Sequence, residues 1–177
     1  MPLLPKQLLA AFAGLDSADS RLEPALAMAE ALVAGWIGAP SLAGRSRSCR
    51  LLSPRFRLAL ELPEGPLTQL LAVREAGVAR DPAAFRSGPW FIARAEGFAA
   101  GRAFEVTWRL GWSAEEGPAL PEALRQALLI TAADWLARGP GPRLVSQRLG
   151  DYAAAYAAAA TALPLEAEAL LRPWRRP

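Results

Sequence analysis

The sequence predicts a mainly α fold, a helical bundle with a β-strand insertion in the middle and a long loop before the C-terminal helix. Three observations carry that reading. Apolar residues recur at three- and four-residue spacing over residues 20–37 and again over 121–138. The period drops to two within residues 54–112. After Gly139-Pro140-Gly141-Pro142 comes a stretch poor in large apolar groups, and then a short helical run at 164–171. A length of 177 residues fits roughly one domain, here taken as residues 1–177 with a tail at 172–177.

In chain order, Lys6 and the apolar run Leu8 to Ala13 lead directly into Asp16 and Asp19 with no small-residue cleavage pattern. That predicts a short helix of a cytoplasmic chain rather than a signal segment. Ser20-Arg21-Leu22-Glu23 has the spacing of a capping box, and Pro24 is tolerated in a first turn whose N–H groups have no helical partner. Leu22, Leu26, Ala29, Val33 and Trp36 then form one stripe, and Gly38, Pro40 and Gly44 end it. Ala39 to Cys49, rich in Gly, Ser and Arg, reads as a connection. Phe56, Leu58, Leu60 and Leu62 alternate with Arg55, Arg57, Ala59 and Glu61, which predicts a strand with one buried face. Pro63-Glu64-Gly65-Pro66 is a turn. Further strands are expected at Leu67–Glu75, at Gly88–Arg94 and over Phe104, Val106, Trp108, Leu110 and Trp112.

Pro121 and Glu122 suit the start of a helix that ends near Arg138, with Leu124, Leu128, Thr131, Trp135 and Leu136 as its stripe. Between Arg143 and Thr161 an alanine run interrupted by Tyr156 favours helix but cannot anchor itself to a core. It reads as an extended arm or as a helix formed against a partner. Trp36, Trp108 and Trp135 lie on apolar stripes and are expected in the core. Trp174, between Pro173 and Arg175-Arg176, either folds back on the body or fills a partner's pocket.

The absences exclude much chemistry. With no histidine, neither a Ser-His-Asp nor a Cys-His nucleophile nor a His-ligated zinc is available. Cys49 is the one cysteine, so no internal disulfide or redox pair exists. No glycine-rich nucleotide loop occurs, and Glu115-Glu116 sits in a Gly/Pro turn where a solvated pair is the ordinary outcome. The expectation is a non-enzyme with no cofactor and no metal. No apolar run is long enough for a membrane helix. Net charge is +3, Lys6 is the only lysine among 20 Lys and Arg, and asparagine is absent, a profile of a thermophilic or GC-rich host. Arginines scattered among 17 acids usually form a solvated, ion-paired surface. The competing reading is a small arginine-rich nucleic-acid-binding module that uses a loop with Arg45, Arg47 and Arg50 together with the C-terminal arginines, its affinity falling steeply with salt.

Five segments in succession carry a resemblance: LELPEGPLTQLLAV (Leu60 to Val73), VTWRLGW (Val106 to Trp112), LPEALRQALLITAADWLA (Leu120 to Ala137), SQRLGDYAAAY (Ser146 to Tyr156) and LPLEAEALLRPWRR (Leu163 to Arg176). In this order the chain resembles the head-to-tail connector, or adaptor, proteins of long-tailed bacteriophages and phage-like gene transfer agents. That family has a Pro-initiated helix ending in an Asp-Trp or His-Trp element, then a Ser-x-x-x-Gly-Asp-x-x-x-x-Tyr loop, then a Leu-Leu-x-Pro-aromatic-Arg ending. The chain departs from it in the alanine run after Asp151 and in Trp112, where the family has Tyr. The resemblance implies a virion structural protein, assembled in the host cytoplasm and forming a ring of about twelve copies beneath the portal protein. DNA passes through the ring without sequence-specific binding, a tail-side completion or stopper protein docks below, and no membrane is involved. It further implies that Arg148, Asp151, Tyr152 and Tyr156 serve a subunit or portal interface, and that Arg172, Trp174, Arg175 and Arg176 form a portal-docking tail. The alternative for Tyr152 and Tyr156 is that they cover the protomer's own core.

Overall fold

A computed structural model describes residues 3–113, 118–138 and 163–176, and the backbone of 143–148 and 153–157. In order, the elements are α1 (Lys6–Ala13), α2 (Leu22–Ile37), β1 (Arg45–Leu52), β2 (Arg57–Glu61), β3 (Leu67–Glu75), β4 (Val78–Arg80), β5 (Arg86–Gly88), β6 (Phe91–Phe98), β7 (Ala103–Leu110), α3 (Glu122–Arg138), β8 (Arg143–Arg148), β9 (Ala153–Ala157) and α4 (Leu165–Leu171). The chain divides into two compact units, residues 1–37 with 121–175 and residues 38–120 with 176–177. The second is almost entirely strand and turn, so the fold is α+β and not the mainly α bundle that the sequence predicts. Two features account for the correction. The Gly/Ser/Arg connection is the eight-residue strand β1, hidden because Arg and Ser occupy positions where alternation is normally read from apolar residues. The expected long loop contains an antiparallel hairpin, β8 with β9, in a sequence whose alanines have low strand propensity.

In the helical unit, α2 buries Leu22, Ala25, Leu26, Ala29, Val33 and Ile37. It packs on α3, which buries Leu124, Ala127, Leu128 and Thr131. The carboxylate that meets the chain before α2 belongs to Asp19, which accepts the Arg21 N–H at 2.9 Å, so Asp19 takes the place expected of Ser20. The Arg21 guanidinium also donates to Asp19 and holds its carboxyl at a pKa of about 2. Trp36 and Trp135 are half-buried rather than in the core, each lying at the margin of its helix's apolar stripe.

In the strand unit, one sheet has the order β1-β7-β3-β4 and the other β2-β6-β5. These strands pair antiparallel throughout. Inward side chains of both sheets, among them Leu60, Ile92, Phe98, Phe104, Val106 and Trp108, form one core. β7 follows the expected alternation, with Phe104, Val106, Trp108 and Leu110 buried. β2 does not. Phe56 and Leu58 are exposed while Leu60 and Leu62 are buried, because a register shift between Arg57 and Ala59 re-phases the strand against β6. Gly111, at φ 69°, ends β7 where a Cβ would come within 2.5 Å of the Leu42 and Ala43 carbonyls, so the close approach needs glycine.

Candidate functional site

The expected portal-docking tail follows α4, which Pro164 opens and whose first turn carries Glu166 and Glu168 at the positive helix end. Ala167 and Leu171 are buried. Proline at the second tail position then tightens the chain into a one-turn 3-10 helix, Arg172–Trp174, closed by the Arg175 N–H donating to the Arg172 carbonyl. Trp174 is half-buried, and Arg172, Arg175 and Arg176 are exposed. The Arg175 guanidinium lies 5.1 Å from the centre of the Trp36 ring, a cation–π distance. Arg176 stands 5.4 Å from the Trp90 ring. Both terminal arginines are therefore held over aromatic rings of their own chain.

Of the expected interface residues, Arg148 pairs with Ala153 and Tyr156 with Leu144 in the β8–β9 ladder. This places Arg148 at the turn end of the hairpin and Tyr156 near its open end, so the two are not brought together. Asp151 and Tyr152 lie outside the described residues.

Arg45, Arg47 and Arg50 lie on a strand rather than a loop. Glu64 accepts from Arg45 at 2.9 Å and from Arg47 at 3.2 Å, and Arg50 stands directly opposite Glu105 on β7. The expected basic surface is thus partly offset by acids, with Glu64 shared by two of its arginines.

A cluster that the sequence reading missed sits at one end of the sheets. Glu75 is buried, and its carboxylate accepts hydrogen bonds from three arginines: Arg80 (3.1 Å), Arg94 (3.2 Å) and Arg102 (3.3 Å). Arg94 is itself sealed in, with a side chain 10% exposed. Its Nε–H donates to the Gly97 carbonyl, and its guanidinium lies 5.1 Å from the Phe98 ring centre and 5.5 Å from that of Phe104. Hydrogen bonding to Arg94 holds the Glu75 carboxyl below the usual carboxylate range. A cleft of about 470 Å³ opens on this cluster. The signal was present in the sequence, since Glu75 shares the parity of the buried Val73 and an inward carboxylate requires cations. Among the described residues no group of three or more His, Cys, Asp or Glu is placed to hold a metal, and no helix is long and apolar enough to cross a membrane.

Comparison with protein families and with curated proteins returns no match. Solved structures do match. One is a chain of the "Neck of empty GTA particle computed with C6 symmetry", 23% identical, covering 99% of this chain and 90% of that one at a TM-score of 0.50. Another belongs to the "Virion of native gene transfer agent (GTA) particle", 21% identical, with the same coverage and a TM-score of 0.51. What is shared is the fold. It extends over nearly the whole of this chain, helices and strands alike.

Proposed function

We propose that the chain is a head-to-tail adaptor of a tailed, phage-like particle, a structural virion protein that forms a ring beneath the portal. The observation that carries the reading is the coincidence of two independent orders. The motifs from Leu60 to Arg176 follow the adaptor succession, and the fold on which they lie matches chains of gene transfer agent particles over 99% of the length. In this reading a closed ring, of about twelve copies, joins one face of each subunit to a different face of its neighbour. The ring continues the DNA channel without base-specific contacts and offers its lower face to a tail-side stopper protein. It assembles in the host cytoplasm and remains in the virion.

The β8–β9 hairpin, with Arg148, Asp151, Tyr152 and Tyr156, serves the subunit or portal interface. The tail, with Arg172, Trp174, Arg175 and Arg176, docks on the portal. The ordered 3-10 turn supports the second role, because a tail already shaped loses less conformational entropy on docking. The nucleic-acid reading is disfavoured by the pairing of the β1 arginines with Glu64.

Negative-stain imaging of the purified protein, alone and mixed with the portal from its own genome, tests the proposal. An added layer on the portal with matching rotational symmetry is expected; particles with no portal association overturn it. Deleting the residues after Leu171 is expected to abolish attachment while the circular dichroism spectrum stays unchanged, and undiminished attachment overturns the tail assignment.

A further inference from the structure

The strand registers bring several chain reversals to one end of the strand unit. Leu52 pairs with Ala103, Arg57 with Phe98, and Glu75 with both Val78 and Phe104. The β1–β2 connection, the β3–β4 turn and the β6–β7 turn therefore share that end. Two kinds of side chain accumulate there. Leu52 (63%), Phe56 (61%), Leu58 (61%) and Val78 (58%) are four of the most exposed large apolar residues among those described. Arg55, Arg80 and Arg102 are exposed at the same end.

This end is built rather than frayed. Ser53 is fully buried, its N–H donates to the Arg102 carbonyl at 3.1 Å, its carbonyl accepts from Gly101 at 2.7 Å, and its hydroxyl donates to the Arg55 carbonyl at 2.7 Å. The Phe56 ring lies over Gly97, where a Cβ would meet it at 2.4 Å.

The charges around the cleft are unequal in reach. Arg80, Arg94 and Arg102 share the single buried carboxylate of Glu75. Of the other two acids lining the cleft, Asp81 accepts the Ala83 N–H at 2.9 Å, and Glu96 is a largely exposed rim residue 4.0 Å from Arg94. Arg80 and Arg102 each keep N–H donors beyond those given to Glu75. Guanidinium groups beside an aromatic and aliphatic surface have the composition of protein-interface hot spots. A phosphate backbone would satisfy the arginines but leave Leu52, Phe56 and Leu58 in water, whereas a protein segment with a carboxylate among apolar side chains covers both.

We propose that this end of the strand unit docks a protein partner through a segment that presents an acidic side chain flanked by apolar ones, the carboxylate bridging Arg80 and Arg102 and the apolar groups covering Phe56 and Leu58. The site is independent of the portal assignment of the C-terminal tail.

The test is an amide chemical-shift titration of the full chain with three probes: a twelve-residue peptide alternating Leu and Glu, the same peptide with Lys for Glu, and a twelve-base-pair DNA duplex. The Glu peptide is expected to shift amides of residues 52–58, 76–81 and 99–102, and the other two probes to leave them in place. Arg55→Glu and Phe56→Ser, neither of which replaces an ion-pair partner of Glu75, are expected to weaken the Glu peptide at least tenfold with the spectrum otherwise native. Shifts confined to other surfaces, equal binding of the Lys peptide, binding of the duplex at these amides, or no binding by the Glu peptide each overturn the proposal. None of these outcomes bears on whether the chain layers on a portal.

Discussion

Glu64 and Glu75 both gather arginines in the strand unit, and they differ in what surrounds them. At the β1 edge, Glu64 meets Arg45 and Arg47 with all three side chains open to solvent, at 26%, 47% and 54% exposure. Arg80 and Arg102 at Glu75 are as open as those two arginines, but the Glu75 carboxylate is buried, and Arg94 is wedged between it, the Gly97 carbonyl and two phenylalanine rings. Similar distances in the two places carry different energies. In water an ion pair gains little beyond what solvation already provides, while a sealed charge that loses its partner cannot regain water. The open cluster adjusts surface charge; the closed one is part of the fold.

The largest expected effect breaks the closed member. Glu75→Gln leaves the buried Arg94 with only the exposed Glu96 carboxylate, 4.0 Å away, as counter-charge and is expected to cost about 3 kcal/mol in urea unfolding; a loss below about 1 kcal/mol would make the two clusters equivalent. The same contrast extends to acid. Because Arg94 holds the Glu75 carboxyl below its unfolded value of about 4.3, its contribution is fully present above that pH and is lost as pH falls through the lower folded value. The wild-type stability profile should therefore fall below about pH 4.3, and the Glu75→Gln profile should lack that component of the slope. An intermediate case is the tail: Arg175→Ala removes a cation held over a half-buried ring and is expected to cost about 0.5–1 kcal/mol, with a change in Trp36 emission. The smallest effect is at the open cluster. Glu64→Gln should cost no more than about 0.5 kcal/mol, and the difference should vanish in 1 M salt, where the screening length is about 3 Å.

Regular apolar spacing made part of this architecture legible. The stripe through Leu22, Leu26, Ala29 and Val33 marks α2, and strict alternation from Phe104 to Leu110 marks β7, because burial on one face leaves a period in the sequence. β1 escaped, since an edge strand with Arg45, Arg47 and Ser48 buries too little to show a period. The exposure of Phe56 and Leu58 was invisible as well, since only the partner strand reveals a bulge that inverts their side. For the candidate site, the tail's Pro-Trp-Arg composition drew attention to Trp174 and its arginines, but not to Trp36 as the ring beneath Arg175. The Glu75 cluster joins residues far apart in the chain, and parity alone hinted that its carboxylate faced inward.

The place of β7 bears on how the chain emerges during synthesis. β1 is bonded to β7, and five other strands are made between them. As the chain leaves the ribosome, β1 waits unpaired while these five strands, none of which it joins, are produced. Arg45, Arg47 and Arg50 make that interval safer, because a strand studded with cations resists annealing to other nascent strands or to another copy. The acids that later receive them, Glu64 and Glu105, arrive afterwards, and the last of these comes with β7 itself.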